Sequence, residues 1–352
     1  MPAPTRQTFL PVRDYDLAAT LASGQAFRWR LHDGGWEGII GRRWVRLQSR
    51  ADGIVAESMS EKSGEGSTGH WPVPSGDSPD GMEETLRANE NRPSLFGRRV
   101  LPFGESPTGT GGSPVPPFFL ADSESVAPVA DWTWLEHYLQ TAVDVDAVLK
   151  SFPDDEPMRA AAAHCRGLRL LRQDPWECLA SFILSSTKQI VQIQQIVALL
   201  CERFGERVET PPDRPAAFAF PGCAALALRS ERELRDCKMG FRAPNLLRAA
   251  QMVTRREVDL LRLHELSVEA ARHELVKLPG VGPKIANCVL LFAGGFQSAF
   301  PVDVWVMKAL RQLYFPRRRV TEKRIHKFAD THFGPNAGYA QQYLFHYMRT
   351  KN

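Results

Sequence analysis

Residues 278–303 read LPGVGPKIANCVLLFAGGFQSAFPVD. Upstream, Ser267 is placed to open an amphipathic helix whose apolar stripe is Val268, Ala271, Leu275 and Leu278. Pro279 ends that stripe. Gly280 and Gly282 flank Val281, so the backbone can turn sharply and uncover amide N–H groups, while Pro283 suits the first position of a second helix. Uncovered amides and the positive end of a helix dipole together make an anion site. A nucleic-acid phosphate is the natural ligand of such a turn.

A glycine hairpin alone is weak evidence of chemistry. The residues after it add more. Lys284 falls in the first turn of the second helix, where the dipole and partial burial both oppose its charged form, and a neutral amine is a nucleophile. Cys288 lies four residues on, on the same helix face. Asp303, in Pro-Val-Asp-Val, is placed to cap a helix through Val306, Leu310 and Leu313. A rigid, ionised cap directed out of a helix end can stabilise a cationic sugar transition state. Taken singly, Lys284 could touch phosphate, Asp303 could merely cap, and Cys288 could fill a core. The ensemble resembles the helix-hairpin-helix DNA glycosylase superfamily, in which the lysine marks enzymes that also cleave the strand.

Composition agrees with a DNA partner. The chain has 352 residues, enough for about two domains, with 44 Lys plus Arg and a formal net charge of +4. Residues 57–91 hold two basic and eight acidic residues, so the remainder carries ten more basic than acidic groups. The cysteines, at 165, 178, 201, 223, 237 and 288, include no C-x-x-C pair. That spacing argues against zinc, a disulfide framework or the cluster loop of endonuclease III and adenine glycosylases. A reducing compartment is expected, and no metal or organic cofactor. No apolar run approaches membrane-spanning length, and MPAPTRQTFLPVRDYD lacks the layout of a signal peptide. The expectation is a soluble monomer, cytoplasmic and nucleoid-associated in a bacterium or nuclear in a eukaryote.

The fold class expected is α+β, an antiparallel sheet domain followed by an all-α domain. In residues 1–56, Phe27, Trp29 and Leu31 alternate with Arg28 and Arg30, Asp33-Gly34-Gly35 makes a turn, and 36–40 and 44–47 read as strands. Residues 57–116 are rich in Gly, Pro and Ser and lack periodicity, so a disordered insertion is predicted. Strand signals return at 117–120, and the sheet domain is taken as 1–56 plus 117–146. Residues 147–352 are predicted to be helical, with stripes at Trp176, Leu179, Ala180 and Ile183, at Ile190, Ile193, Val197, Leu200 and Cys201, and at Ala340, Tyr343, Leu344, Tyr347 and Met348. Another stripe, Ile325, Phe328, Ala329, His332 and Phe333, is capped by Thr321.

On the last helix Gln341 and Phe345 are four apart and displaced from the core stripe. They could be a solvated amide beside an extra core ring. They could also supply what a flipped base needs, an aromatic face to stack on and an amide to read its edge.

Three runs narrow the resemblance to a family. Residues 23–29, SGQAFRW, residues 167–178, GLRLLRQDPWEC, and the hairpin through Asp303 are similar to 8-oxoguanine DNA glycosylase/AP lyase. The likeness covers nearly everything except the insertion. It implies base excision from damaged duplex DNA: Lys284 attacks the sugar, Asp303 assists, and a Schiff base leads to β-elimination. It implies that the Gly24 carbonyl accepts from N7–H of the lesion, that Cys288 and Phe345 sandwich the base, and that Gln341 reads its edge. A fixed carbonyl would bond the oxidised base and repel the lone pair of guanine at N7, and an unpaired buried acceptor costs about 1–3 kcal/mol. Phe241 matches an aromatic wedge. At the positions that read the orphaned cytosine in eukaryotic members, this chain has Thr187, Gln192 and Arg242, of which only Arg242 matches. Trp305 stands where those members have histidine. A relaxed preference for the opposite base is therefore expected. A monofunctional or alkylation-type glycosylase of this fold would not use Lys284, and a non-enzymatic helix-hairpin-helix binder would need neither Lys284 nor Asp303.

Overall fold

Asp33 and Gly34 both take positive φ, +46° and +70°, the geometry that lets a two-residue turn follow the twist of its flanking strands. This turn joins two strands of a five-stranded antiparallel sheet: β1 (Thr5–Pro11), β2 (Arg30–His32), β3 (Gly35–Ile40), β4 (Arg43–Arg50) and β5 (Gly53–Met59), in the order β1-β5-β4-β3-β2. The computed structural model describes residues 4–59, 131–185, 189–316 and 320–351. The predicted insertion and the strand signal at 117–120 lie outside those residues, as does Thr187.

One face of the sheet buries Leu10, Val45, Leu47, Ile54 and Ala56. Two helices cover it, α1 (Leu17–Ala22), capped by Asp16, and α2 (Thr133–Leu139). Both correct the expectation for this half, which placed only strands and turns in 1–56 and began the helices near 146. Six apolar or small residues after a cap are too few to show a helical period. The strand expected at Phe27–Leu31 shrinks to Arg30–His32, for a physical reason. Phe27 packs into the helical core against Phe182, ring centroids 5.5 Å apart, while Trp29 packs into the sheet core and donates to Tyr138 OH at 2.9 Å. The alternation that looks like a pleat is a segment shared between two cores.

The helical region follows, with α3 (Val145–Lys150), α4 (Glu156–His164), α5 (Pro175–Leu184), α6 (Ile190–Phe204), α7 (Cys223–Ala227), α8 (Glu231–Leu234) and α9 (Ala243–Thr254). Then come α10 (Val268–Val276), α11 (Pro283–Val289), α12 (Val304–Tyr314), α13 (Glu322–His332) and α14 (Ala337–Thr350). A short antiparallel pair, β6 (Arg207–Val208) with β7 (Ala217–Phe218), interrupts the expected all-α run. The predicted apolar stripes enter one continuous core, Ile190, Phe328 and Tyr347 at its edge and His332 outside it. The expected caps are in place: Ser267 Oγ accepts from Ala270 N at 3.2 Å and Thr321 caps α13. Among the described residues, no helix is long and apolar enough to cross a membrane.

The two cores are stitched by buried amides. Gln25 Nε2 donates to Thr20 O and to Arg169 O, both at 2.8 Å, its Oε1 accepts from Leu171 N at 2.8 Å, and Gln173 Nε2 donates to Gln25 O at 2.7 Å. A buried amide with its lone pairs and protons satisfied specifies one docking geometry. Arg28 adds an ion pair to Glu177 at 3.3 Å. These contacts press residues 23–29 against the start of α5, and Gln342 of α14 meets the same run at Ser23.

Candidate active site

The hairpin between α10 and α11 has the predicted shape. Gly280 sits at φ +78°, and a Cβ there would meet Asn245 Nδ2 at 2.8 Å, so glycine lets the turn lie on the first turn of α9. Gly282, extended at φ −96° and ψ 179°, caps α11 with open space where a side chain would stand, and Pro283 follows as the first helical residue. Val281 corrects the expectation that it offers an amide to phosphate. Its N–H is committed to Leu278 O at 3.1 Å and its side chain is buried.

Lys284 is half-buried, and its Nζ donates to Ser185 Oγ at 3.3 Å. That hydroxyl spends its own proton on Phe182 O at 2.7 Å, which leaves a lone pair for the amine. The Phe182 ring lies under Nζ at 4.9 Å from its centroid. Asp303 caps α12 as predicted, its Oδ1 accepting from Trp305 N at 2.9 Å and Val306 N at 2.8 Å. Among the described residues Oδ2 takes no hydrogen bond, so one oxygen holds the helix and the other remains for a ligand. Cys288 lies one turn past Lys284 on α11. Burial pushes its thiol up to about 11, the Lys284 charge pulls it down, and the Asp303 charge pushes it up. The thiol is therefore protonated at neutral pH, a soft apolar surface rather than a second nucleophile.

A second wall comes from the sheet domain and α14. Gly24 has φ +79°, and a Cβ there would meet Ile190 Cδ1 at 2.8 Å and Phe345 Cε1 at 3.6 Å. Gln341 is only 4% exposed, and its Oε1 is buried with no partner among the described residues. A buried acceptor left open in this way is costly unless a ligand fills it. Replacing Gln341 with methionine should therefore raise the stability of the free protein by about 1–3 kcal/mol while slowing lesion excision. Thermal unfolding and single-turnover excision measure the two effects, and unchanged excision would remove Gln341 from the site.

Gln342 escaped the sequence reading. Its Nε2 donates to Ser23 O at 3.1 Å, bracing the loop that carries Gly24. Its only sequence signal is its place beside Gln341 on a helix that buries both.

The expected DNA contacts divide. Phe241 is 65% exposed on a turn with Gly240 at φ +61°, as a wedge requires. Arg242 is 3% exposed, and its guanidinium packs 4.3 Å from the centre of the Phe241 ring, so it backs the wedge from inside. Gln192 is turned to its own helix start, its Oε1 accepting from Gln189 N at 3.1 Å. Trp305 is 38% exposed beside Asp303, with Lys308 Nζ 5.2 Å from its ring centre.

Residues 8–179 match the N-terminal domain of 8-oxoguanine DNA glycosylase, and residues 180–333 match the HhH-GPD superfamily of base excision DNA repair proteins. A probable N-glycosylase/DNA lyase of Methanothermobacter thermautotrophicus is 31% identical over 217 residues, spanning 56% of this chain and 69% of that protein. An N-glycosylase/DNA lyase of Arabidopsis thaliana is 30% identical over 235 residues, 63% of each. Among solved structures, the 8-oxoguanine glycosylase/lyase of Clostridium acetobutylicum bound to duplex DNA with cytosine opposite 8-oxoG superposes with a TM-score of 0.71. It is 25% identical, and the match covers 99% of both chains.

Proposed function

Since this chain belongs to the 8-oxoguanine DNA glycosylase family within the HhH-GPD superfamily, we propose that it excises 8-oxoguanine from duplex DNA and then nicks the strand as an AP lyase. Lys284 held on Ser185 over the Phe182 ring, Asp303 capping α12 through one oxygen, and Gly24 packed beside Phe345 together support this reading. Duplex DNA bends at the hairpin, Phe241 enters the opened step, and the damaged nucleotide leaves the stack. The base lies between Cys288 and Phe345, its N7–H toward the Gly24 carbonyl and its edge toward Gln341.

The Lys284 amine attacks C1′ as the C1′–N9 bond breaks, and the electron pair departs with the base. One amine proton ends on that base. Asp303 Oδ2 faces the positive charge that develops on the sugar. Ring opening gives a Schiff base on Lys284. Loss of a proton from C2′ then expels the phosphate at C3′, cutting the strand 3′ to the lesion. The protein acts as a monomer on DNA alone, in the cytoplasm of a bacterium or the nucleus of a eukaryote.

Duplexes carrying 8-oxoguanine, an abasic site or 3-methyladenine, incubated with and without borohydride, test the assignment. Excision of 8-oxoguanine with covalent trapping is the expected result, and 3-methyladenine release without trapping would overturn it. Excision rates opposite C, A, G and T should lie within about tenfold of one another, because two of the three positions that read cytosine in eukaryotic members carry other residues here, Thr187 and Gln192, and Gln192 is spent on its own helix start. A strong preference for C would contradict this.

A further inference from the structure

Arg349 lies one turn beyond Phe345 on α14, and nothing in its sequence setting marks it as part of the site. Its guanidinium carbon is 5.1 Å from the centre of the Phe345 ring. A Cβ at Gly24 would lie 3.6 Å from Arg349 Nη1, the same distance as from Phe345 Cε1, so arginine, ring and glycine loop share one wall. Arg349 remains exposed, and while partial desolvation lowers its pKa, the Asp303 carboxylate opposes that shift. No ion pair joins them. Among the described residues the guanidinium takes part in no hydrogen bond or ion pair, and it lies over the Phe345 ring.

A guanidinium that lies over a ring and makes no hydrogen bond keeps N–H groups for a planar acceptor. We propose that Arg349 is a phosphate clamp for the everted nucleotide. The inference rests on the excision reading given above. With the base on Phe345 and C1′ between Lys284 and Asp303, the sugar carries its phosphates past the carboxylate of Asp303. Two like charges brought together in a site of reduced dielectric repel. A cation on the neighbouring wall offsets that repulsion and fixes the sugar through a charge-assisted hydrogen bond to its phosphate. Arg349 would thus be a substrate-binding residue that also makes room for the carboxylate Asp303 needs.

Binding of the full chain to a duplex carrying a tetrahydrofuran abasic analogue, measured across salt concentrations, tests this. Arg349→Gln should weaken binding roughly tenfold, the effect of one lost charge-assisted hydrogen bond. It should also reduce the slope of log K against log salt by about 0.9, the value for one phosphate contact. Arg349→Lys should keep the slope. On an undamaged duplex of the same sequence Arg349→Gln should leave the slope unchanged, because no nucleotide is everted. An intact slope in Arg349→Gln on the abasic duplex overturns the clamp, and so does an equal loss on both duplexes, which would place Arg349 on the outer backbone. Should the wild-type chain show no preference for the abasic over the undamaged duplex, the excision reading itself fails, an outcome separate from either.

Discussion

Lys284→Gln should release no 8-oxoguanine and form no borohydride-trapped complex, while still binding the lesion duplex. Glutamine reaches nearly as far as lysine and can donate to Ser185 Oγ as Nζ does at 3.3 Å, so the packing over Phe182 is largely kept. Only the nucleophilic amine is lost. Removing a covalent nucleophile costs on the order of 10³-fold or more, because binding and electrostatic stabilisation alone remain. Single-turnover excision and trapping to an abasic aldehyde read the two steps separately. A Lys284→Gln protein that still traps would assign the Schiff base to another amine. One that excises without trapping would leave the lysine only its lyase role.

Asp303→Asn should divide the two duties of that side chain. Asparagine caps a helix about as well as aspartate, so the bonds to Trp305 N and Val306 N survive and unfolding temperature should change little. The charge does not survive. Base excision should fall by about 10²- to 10³-fold, the usual effect of losing one group aimed at developing transition-state charge. Schiff-base formation on a preformed abasic aldehyde should fall much less, since no glycosidic bond breaks there. Asp303→Ala should add about 1 kcal/mol of lost stability, because it removes the cap as well. Excision at the wild-type rate in Asp303→Asn would reduce the residue to a cap.

The local features of this molecule were legible from residue types. Ser267, Thr321 and Asp303 cap helices, Pro283 begins one, and Asp33-Gly34 turns a hairpin, because each acts on backbone within a few positions of itself. Apolar stripes at helical spacing likewise marked most of the buried faces. Where local pattern misled, two cores were competing for one segment. Phe27 and Trp29 alternate like a strand, yet they point into different cores.

What the chain order could not carry is the site as an arrangement in space. Ser185 meets Lys284 from 99 positions away, and Gln342 braces Ser23 from 319. Arg349 comes within 3.6 Å of where a Gly24 Cβ would stand only after α14 docks against residues 23–29. Val281 looked like a phosphate ligand until the turn folded its amide onto Leu278. Caps, turns and periodicity follow from steric and hydrogen-bonding preferences within one or two helical turns, so residue identity suffices for them. The partner of a long side chain depends on which distant backbone is packed beside it, and only the folded core sets that.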